Sequence, residues 1–182
     1  MKVANYYTDA SINFGEPCSA CIKHIKGNVY HYVKVVRVVE NSTNIHQSEA
    51  IAIKLALIDI YNNYDESTIY NIYTDSDAVI NLINNQILKY PEITEILRLL
   101  DMVKVNIYLV KSHTNPEYQQ MYFLKHNNAV IGDKQAYAIC KGNEKVDSIA
   151  RSLTNVDNTK IYRSTPFDIA IPIDTCPFEF VY

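Results

Sequence analysis

The chain lacks any hydrophobic run of the roughly 20 residues that a membrane-spanning helix needs. It also lacks an excess of basic residues, because 17 Lys and Arg stand against 20 Asp and Glu, and the net charge is −3. Such a chain has no bulk basic field of the kind that attracts nucleic acid by itself. This balance argues against a plain nucleic-acid-binding module, but it does not exclude an enzyme whose acidic groups are neutralised by metal ions.

Cysteine is also sparse, and its spacing argues against a metal or redox motif. Of the four cysteines, Cys18 and Cys21 have the separation of half a zinc site or of a redox pair. They lie in a strand pattern, however, where an odd separation points two side chains to opposite faces. No second pair completes a structural zinc site. We therefore expect reduced cysteines and a cytoplasmic protein, and the N-terminus, which runs directly into a strand pattern, is not expected to be a signal peptide.

The length and composition are those of one folded domain. The chain has 182 residues, of which 48% are hydrophobic, which is enough for a single domain with a core. We predict that this domain covers residues 1–154. Beyond it the pattern fails, because Pro166, Pro172 and Pro177 interrupt a mixed apolar stretch. We expect residues 155–182 to form an extended tail packed on the domain.

The order of the predicted elements indicates an α/β fold. Three antiparallel strands open the chain, with a turn between the first two and the hairpin signal Gly27-Asn28 between the last two. Helices then alternate with strands, which implies right-handed crossovers and a parallel half to the sheet. A small helical pair precedes a last helix that opens at Gly142. The predicted strands cover residues 3–9, 18–26, 29–40, 69–74 and 103–111, the turn 11–17, the helices 46–63, 76–84 and 91–102, and the helical pair 115–141.

Asp75 occupies the most informative position. It follows a buried strand and precedes a helix, and ligand sites in α/β sheets lie at the C-terminal ends of strands. The alternative is that Asp75, like Ser76, only caps the helix that follows. Three further acids favour a functional site over a cap. They are Asp9 on the first strand, Glu49 at the head of the apolar stripe of the first long helix, and Asp147 in the last helix.

These acids form a metal site if the first and fourth strands are neighbours in the sheet. Asp9 and Asp75 then meet, and the helix packed over them brings Glu49 close. A buried unpaired carboxylate is costly, so Glu49 needs a cation or a proton unless it lies in solvent at the edge of the core. A cluster of carboxylates repels itself until divalent metal neutralises it, and hard oxygen ligands select Mg²⁺ or Mn²⁺. A pair of such ions is suited to phosphodiester hydrolysis.

At these residues the chain resembles the type 1 ribonuclease H family. The matching segments are Thr8-Asp9-Ala10-Ser11, Gln47-Ser48-Glu49-Ala50-Ile51-Ala52-Ile53, Tyr73-Thr74-Asp75-Ser76 and Gly142-Asn143-Glu144-Lys145-Val146-Asp147-Ser148-Ile149-Ala150-Arg151. The resemblance implies a ribonuclease H-like fold with a five-stranded mixed sheet in the order 3-2-1-4-5, its first three strands antiparallel, and helices on both faces. It also implies an endonuclease that hydrolyses the RNA strand of RNA–DNA hybrids, leaving 5′-phosphate and 3′-hydroxyl ends. Two Mg²⁺ ions, for which Mn²⁺ substitutes, would be held by Asp9, Glu49, Asp75 and Asp147.

Further site residues follow from the same resemblance. His113 matches the family's mobile histidine, which helps proton handling or product release; the alternative is a neutral loop histidine. The residues just before Glu49 match the place where the family contacts sugars and the 2′-hydroxyls that mark RNA. The expected substrate-binding residues are Ser11, Asn13, Asn44, His46, Gln47, Ser76 and Asn143, and of these Ser11 and Asn13 are equally typical of a turn.

The chain departs from the family in two places. The family's histidine loop is a few residues long, whereas residues 114–141 separate His113 from Gly142. This helical insertion, about residues 115–141, could form a lid, contact substrate through Lys125, Lys134 and Lys141, or be a surface elaboration. The insertion and the C-terminal tail are the two places where we expect a protein partner to bind, if there is one. The chain also lacks the basic extra helix with which some family members grip the hybrid.

Two other functions fit the same residues. Related junction resolvases keep the fold and the metals but cut structured DNA. A third interpretation is a non-catalytic domain that binds nucleic acid or protein through the insertion and the tail. The intact set of four acids favours catalysis.

Overall fold

The computed structural model describes residues 1–13, 16–27, 29–38, 44–152 and 159–162. The last two residues of the third predicted strand and most of the predicted tail, residues 155–158 and 163–182, lie outside the described residues.

The first three strands form an antiparallel meander, because their β-branched and aromatic residues suit a pleated sheet. They are β1 (Lys2–Asn13), β2 (Glu16–Lys26) and β3 (Val29–Val38). The prediction of a turn over residues 11–17 was wrong for most of its length, because β1 and β2 stay paired as far as Asn13 and Glu16. This pairing gives the backbone N–H and C=O groups of both strands their partners.

Two parallel strands complete the predicted sheet. β4 (Thr68–Thr74) pairs with β1, and β5 (Val105–Leu109) pairs with β4, both in parallel. The observed order β5-β4-β1-β2-β3 confirms the predicted order 3-2-1-4-5. A sixth strand, β6 (Thr159–Tyr162), extends the sheet by pairing in parallel with β3. It comes from the segment that we had predicted to be a tail.

Helices cover both faces of the sheet. They are α1 (Ile45–Asn62), α2 (Asp77–Asn84), α3 (Pro91–Met102), α4 (Pro116–Asn127) and α5 (Asp133–Arg151). On one face α1 and α3 bury a core that includes Ile53 and Ile96, and on the other α4 and α5 bury one that includes Phe123 and Ile139. Within the described ranges, no helix combines the length and apolarity needed to cross a membrane.

The two cores separate Cys18 from Cys21, as the odd spacing predicted. Cys18 lies in the core under α5, and Cys21 lies in the core under α1. Both thiols are buried and reduced. The pair therefore forms neither a disulfide nor a shared metal site.

The last helix begins nine residues earlier than predicted, and Gly142 lies in its interior. A glycine inside a helix costs about 1 kcal/mol relative to alanine, so its presence needs a reason. A Cβ added at Gly142 would overlap the buried ring of Tyr7 on β1. The bare glycine therefore lets α5 lie directly against β1, and this close approach carries Asp147 towards the edge of the sheet where Asp9 lies.

Most of the large apolar side chains of α4 do not belong to the core. Tyr118, Met121 and Leu124 are exposed. The residues of α4 that are buried are Phe123, which packs against Tyr108, and Gln119, whose side-chain amide bonds the backbone of Lys111. Gln119 thus satisfies the backbone just beyond β5, while the side chain of Asn127 bonds the N–H and C=O of Leu109 at its end.

Candidate active site

Two neighbouring parallel strands bring Asp9 and Asp75 together. The register between β1 and β4 pairs Thr8 with Thr74, so the next residue on each strand is an aspartate at the same edge of the sheet. Asp9 is only 4% exposed, and Asp75 is half-buried. Asp9 and Asp75 therefore lie side by side, as predicted for a sheet in which the first and fourth strands are neighbours.

Glu49 completes a compact cluster of carboxylates. It lies in the second turn of α1, which packs over β1, and it is 7% exposed. Carboxylate oxygens of Asp9, Glu49 and Asp75 lie within 4.8 Å of one another. One oxygen of Glu49, Oε2, is buried without a hydrogen-bond partner. A buried acceptor without a donor is costly, so this oxygen calls for a proton or a cation.

Asp75 does not act as the cap of the helix that follows it. Ser76 occupies the N-cap position of α2 and makes no side-chain capping bond. The carboxylate of Asp75 accepts hydrogen bonds from the side chains of Ser112 and Asn143, which lower its pKa, although burial raises that pKa more. Asp75 thus faces the other acids and is held there by two neutral donors.

The fourth acid, Asp147, joins the cluster at its rim. Its side chain is 17% exposed and is close enough to Asp9 to raise the pKa of that group. Arg151 Nε donates to Asp147 Oδ1 at 2.8 Å, and His113 Nε2 lies 3.7 Å from Oδ2. Asp147 therefore stands between the other three acids and two basic side chains.

The electrostatics of the cluster are unfavourable without a cation. Burial, followed by the charge of Asp75, raises the pKa of Asp9 to about 8, although the Ala10 N–H that donates to Asp9 Oδ1 at 2.7 Å acts in the other direction. Burial and then the charges of Asp9 and Asp75 hold the pKa of Glu49 well above its usual range. These groups cannot all ionise together at neutral pH unless positive charge enters the cluster.

An open pocket of about 430 Å³ gives solvent access to the acids. His113 stands at its mouth with φ +51°, a left-handed conformation that non-glycine residues rarely adopt. Its side chain is 60% exposed, and its Nε2 lies 3.3 Å from Arg151 Nη2. The polar and charged lining consists of Asp9, His46, Glu49, Asp75, Ser76, Asp77, Ser112, His113, Asp147 and Arg151.

The predicted substrate-binding residues divide into those at the pocket and those directed elsewhere. His46 and Ser76 line it, and Asn143 is buried beside Asp75. Neither Asn44 nor Gln47 does. Asn44 is the N-cap of α1 and bonds the hydroxyl of Tyr90, whereas Gln47 is buried and donates to the carboxylate of Glu92 on α3.

The placement of Gln47 corrects the prediction for a simple geometric reason. Residues two apart on a helix point about 200° from each other, so Gln47 cannot face the pocket that Glu49 faces, whereas His46, three residues before Glu49, can. On β1, Ser11 is half-buried and does not line the pocket, and the side chain of Asn13 lies outside the described residues.

Two pocket residues that contact the acids, Ser112 and Arg151, were not predicted. Arg151 lies one helical turn after Asp147, a spacing that typically pairs opposite charges on a helix, and this signal could have identified it. Ser112 comes just after β5, which pairs with β4 and so ends beside Asp75. Its role could be inferred only once the strand order was known.

No protein-family model matches the chain, and no curated protein matches it in sequence. What the site does must therefore be argued from its own geometry. The donor set is composed of carboxylate oxygens, which suit hard divalent cations. Asp9, Glu49 and Asp75 could hold one such ion, and the unpartnered oxygen of Glu49 fits that role.

Proposed function

We propose that this protein is a metal-dependent endonuclease that hydrolyses the RNA strand of RNA–DNA hybrids. The observation that carries the proposal is the gathering of Asp9, Glu49 and Asp75 within 4.8 Å at the edge of a sheet with the strand order expected of a ribonuclease H fold. Asp147 lies at the rim of the same cluster. Four acids from four separate segments meet at one solvent-accessible point.

The chemistry of the cluster fits two Mg²⁺ ions, with Mn²⁺ as a substitute. Asp9, Glu49 and Asp75 would hold the first ion, and Asp9 and Asp147 would hold the second. When bound, such cations supply the charge that activates an attacking water and stabilises the leaving 3′-oxygen. The hydrogen bonds that Asp75 accepts from Ser112 and Asn143 hold its carboxylate in the cluster, where it would bind a metal ion.

The basic residues at the rim of the pocket can bind phosphate and transfer protons, which the metal-binding acids cannot do. Arg151 presents an exposed guanidinium next to Asp147, where it can bind a phosphate oxygen of the substrate strand. His113 is exposed and touches the same guanidinium, so its imidazole can take up or hand on a proton at the leaving group. On another wall of the pocket, His46 is placed to contact a 2′-hydroxyl, the group that distinguishes RNA from DNA.

A parallel substrate assay tests the proposal. A labelled RNA–DNA hybrid, duplex RNA, duplex DNA and a four-way DNA junction are each incubated with the protein and Mg²⁺, with EDTA as the blank. We expect cleavage of the RNA strand of the hybrid alone, with 5′-phosphate and 3′-hydroxyl products and none in EDTA. Cleavage confined to the junction would identify a resolvase-like enzyme instead. Binding of hybrid without cleavage in either Mg²⁺ or Mn²⁺ would identify a non-catalytic domain.

A further inference from the structure

A row of cavities leads away from the acidic pocket along α5. A second cavity of about 550 Å³ shares His113 with the pocket, and a third of about 530 Å³ shares Tyr137, Lys141 and Glu144 with the second. Each cavity has at least one lining residue in common with the next, so the three lie side by side. We call the second and third cavities together the α5 track, which is lined mainly by Tyr30, His113, Tyr137, Lys141, Glu144, Lys145 and Ser148.

The spacing of residues on α5 explains why the track is straight. Tyr137, Lys141, Lys145 and Ser148 recur at intervals of three and four, which places them on one face of a helix. At 1.5 Å per residue, Tyr137 and Ser148 are about 17 Å apart along the axis. Tyr137 lies in the first half of α5, which the helix gains by beginning at Asp133.

The side chains on the track combine positive charge with aromatic rings. Tyr137 is 53% exposed, and Lys141 Nζ lies 5.8 Å from the centre of its ring. Tyr30 on β3 is half-buried and lines the third cavity. Basic grooves with aromatic platforms are how proteins bind nucleic-acid strands without reading their sequence.

One acid, Glu144, lies on the track and reduces its charge only in part. Lys141 Nζ lies 3.0 Å from its carboxylate, in a pair whose members are both exposed. Exposed pairs of this kind contribute little, so Lys141 can exchange Glu144 for a phosphate at small cost. Over the described part of the chain, Lys145 has no ion-pair partner.

We propose that the α5 track binds the sugar-phosphate backbone of the substrate strand where that strand leaves the acidic pocket. This inference rests on the proposed nuclease function and adds to it the surface that holds the substrate. A length of about 17 Å is enough to contact several consecutive phosphates of one strand. The polar, open and cationic lining suits this occupant, and the track supplies positive charge that the chain as a whole lacks.

The test compares two pairs of lysines that carry the same charge. Lys141→Gln/Lys145→Gln removes both cations of the track. Lys2→Gln/Lys104→Gln, the control, removes two exposed lysines that line none of the three cavities. Affinity for a fluorescent RNA–DNA hybrid is measured by anisotropy in EDTA, so that no cleavage occurs, at several salt concentrations. Circular dichroism and thermal unfolding establish that each variant is folded.

We expect the track variant to bind about tenfold more weakly, with a slope of log K against log salt that is shallower by about 1 to 2, as loss of two phosphate contacts requires. The control should stay within about twofold of the parent. Tyr137→Ala should also weaken binding, because Lys141 loses the ring against which its ammonium group lies.

If the track and control variants have equal affinity and equal salt slope, the proposal that the track binds substrate is wrong. It is also wrong if the parent protein does not bind hybrid at all. The nuclease proposal is judged separately, by cleavage. If the parent cleaves hybrid while the track variant binds it as tightly as the parent, only the track fails. If the parent binds without cleaving and the track variant loses that binding, the track stands and the nuclease proposal fails.

Discussion

Replacing Asp75 with asparagine is expected to lower hybrid cleavage by at least about 10³-fold while leaving the fold intact. The asparagine would keep the size of the side chain but could offer a cation only one neutral oxygen in place of a carboxylate. The loss corresponds to about 4 kcal/mol of transition-state stabilisation, of the size that metal ions contribute to such reactions. Single-turnover cleavage of a labelled hybrid in saturating Mg²⁺ measures it.

The same substitution should stabilise the metal-free protein at alkaline pH. The pKa of Asp9 is raised to about 8 in the folded state, and the first cause after burial is the charge of Asp75. A raised pKa means that the folded chain holds a proton that the unfolded chain releases. The contribution of Asp9 to stability is therefore fully present below the usual pKa of an aspartate and is lost as pH rises through about 8. Asp75→Asn removes a repelling charge, so at pH 8 in EDTA its unfolding midpoint should exceed that of the parent by several degrees.

Asp101→Asn is the matched control, because Asp101 is exposed near the end of α3. Its cleavage rate and its unfolding midpoint should both remain close to those of the parent. An Asp75→Asn protein that cleaves at more than about a tenth of the parent rate would show that Asp75 is not a metal ligand. An unchanged midpoint at pH 8 would show that the acids do not repel one another in the folded state.

Gly142→Ala is expected to destabilise the protein by roughly 1–3 kcal/mol, although alanine is the better helix former. Helix propensity alone favours the substitution by about 1 kcal/mol. The added methyl group, however, would overlap the ring of Tyr7, which is buried, stacked on Tyr73 at 5.2 Å and tied by its hydroxyl to Ala138 O at 3.2 Å. Because that ring has nowhere to move, α5 must shift away from β1, and overpacking of this kind costs more than propensity returns.

Urea unfolding measures the change in the free energy of unfolding, with Gly132→Ala as the control variant. A Cβ at Gly132 meets nothing within 4 Å, so that substitution should cost less than about 1 kcal/mol, through its N-cap position alone. Because α5 carries Asp147, Gly142→Ala should also slow cleavage, and Gly132→Ala should not. A Gly142→Ala protein more stable than the parent would show that α5 does not need its close approach to β1.

The sheet and the site were predictable to the extent that each rests on local pattern. The alternation of side chains along a strand predicted that Cys18 and Cys21 lie on opposite faces of the sheet. The buried strand that ends before Asp75 indicated the edge of the sheet at which the other acids would meet. The strand order was implied by the family resemblance of the segments around the four acids, and the meeting of Asp9 and Asp75 followed from that order. None of these inferences needed knowledge of side-chain packing.

The errors arose where a distant contact overrides a local signal. Gly142 has the appearance of a helix start, because nothing near it in the sequence reveals the Tyr7 ring that requires a glycine there. The turn predicted around Ser11 disappears into the ladder between β1 and β2. Gln47 is drawn to Glu92, a residue that follows two helices later, and so cannot contact substrate.

The central claim is that the gathered carboxylates bind divalent metal, and anomalous scattering from crystals grown with millimolar Mn²⁺ tests it most directly. The account predicts an anomalous peak among Asp9, Glu49 and Asp75, with a second peak between Asp9 and Asp147 once hybrid is bound. If crystals grown at that Mn²⁺ concentration show no anomalous peak at the three acids, the claim is contradicted.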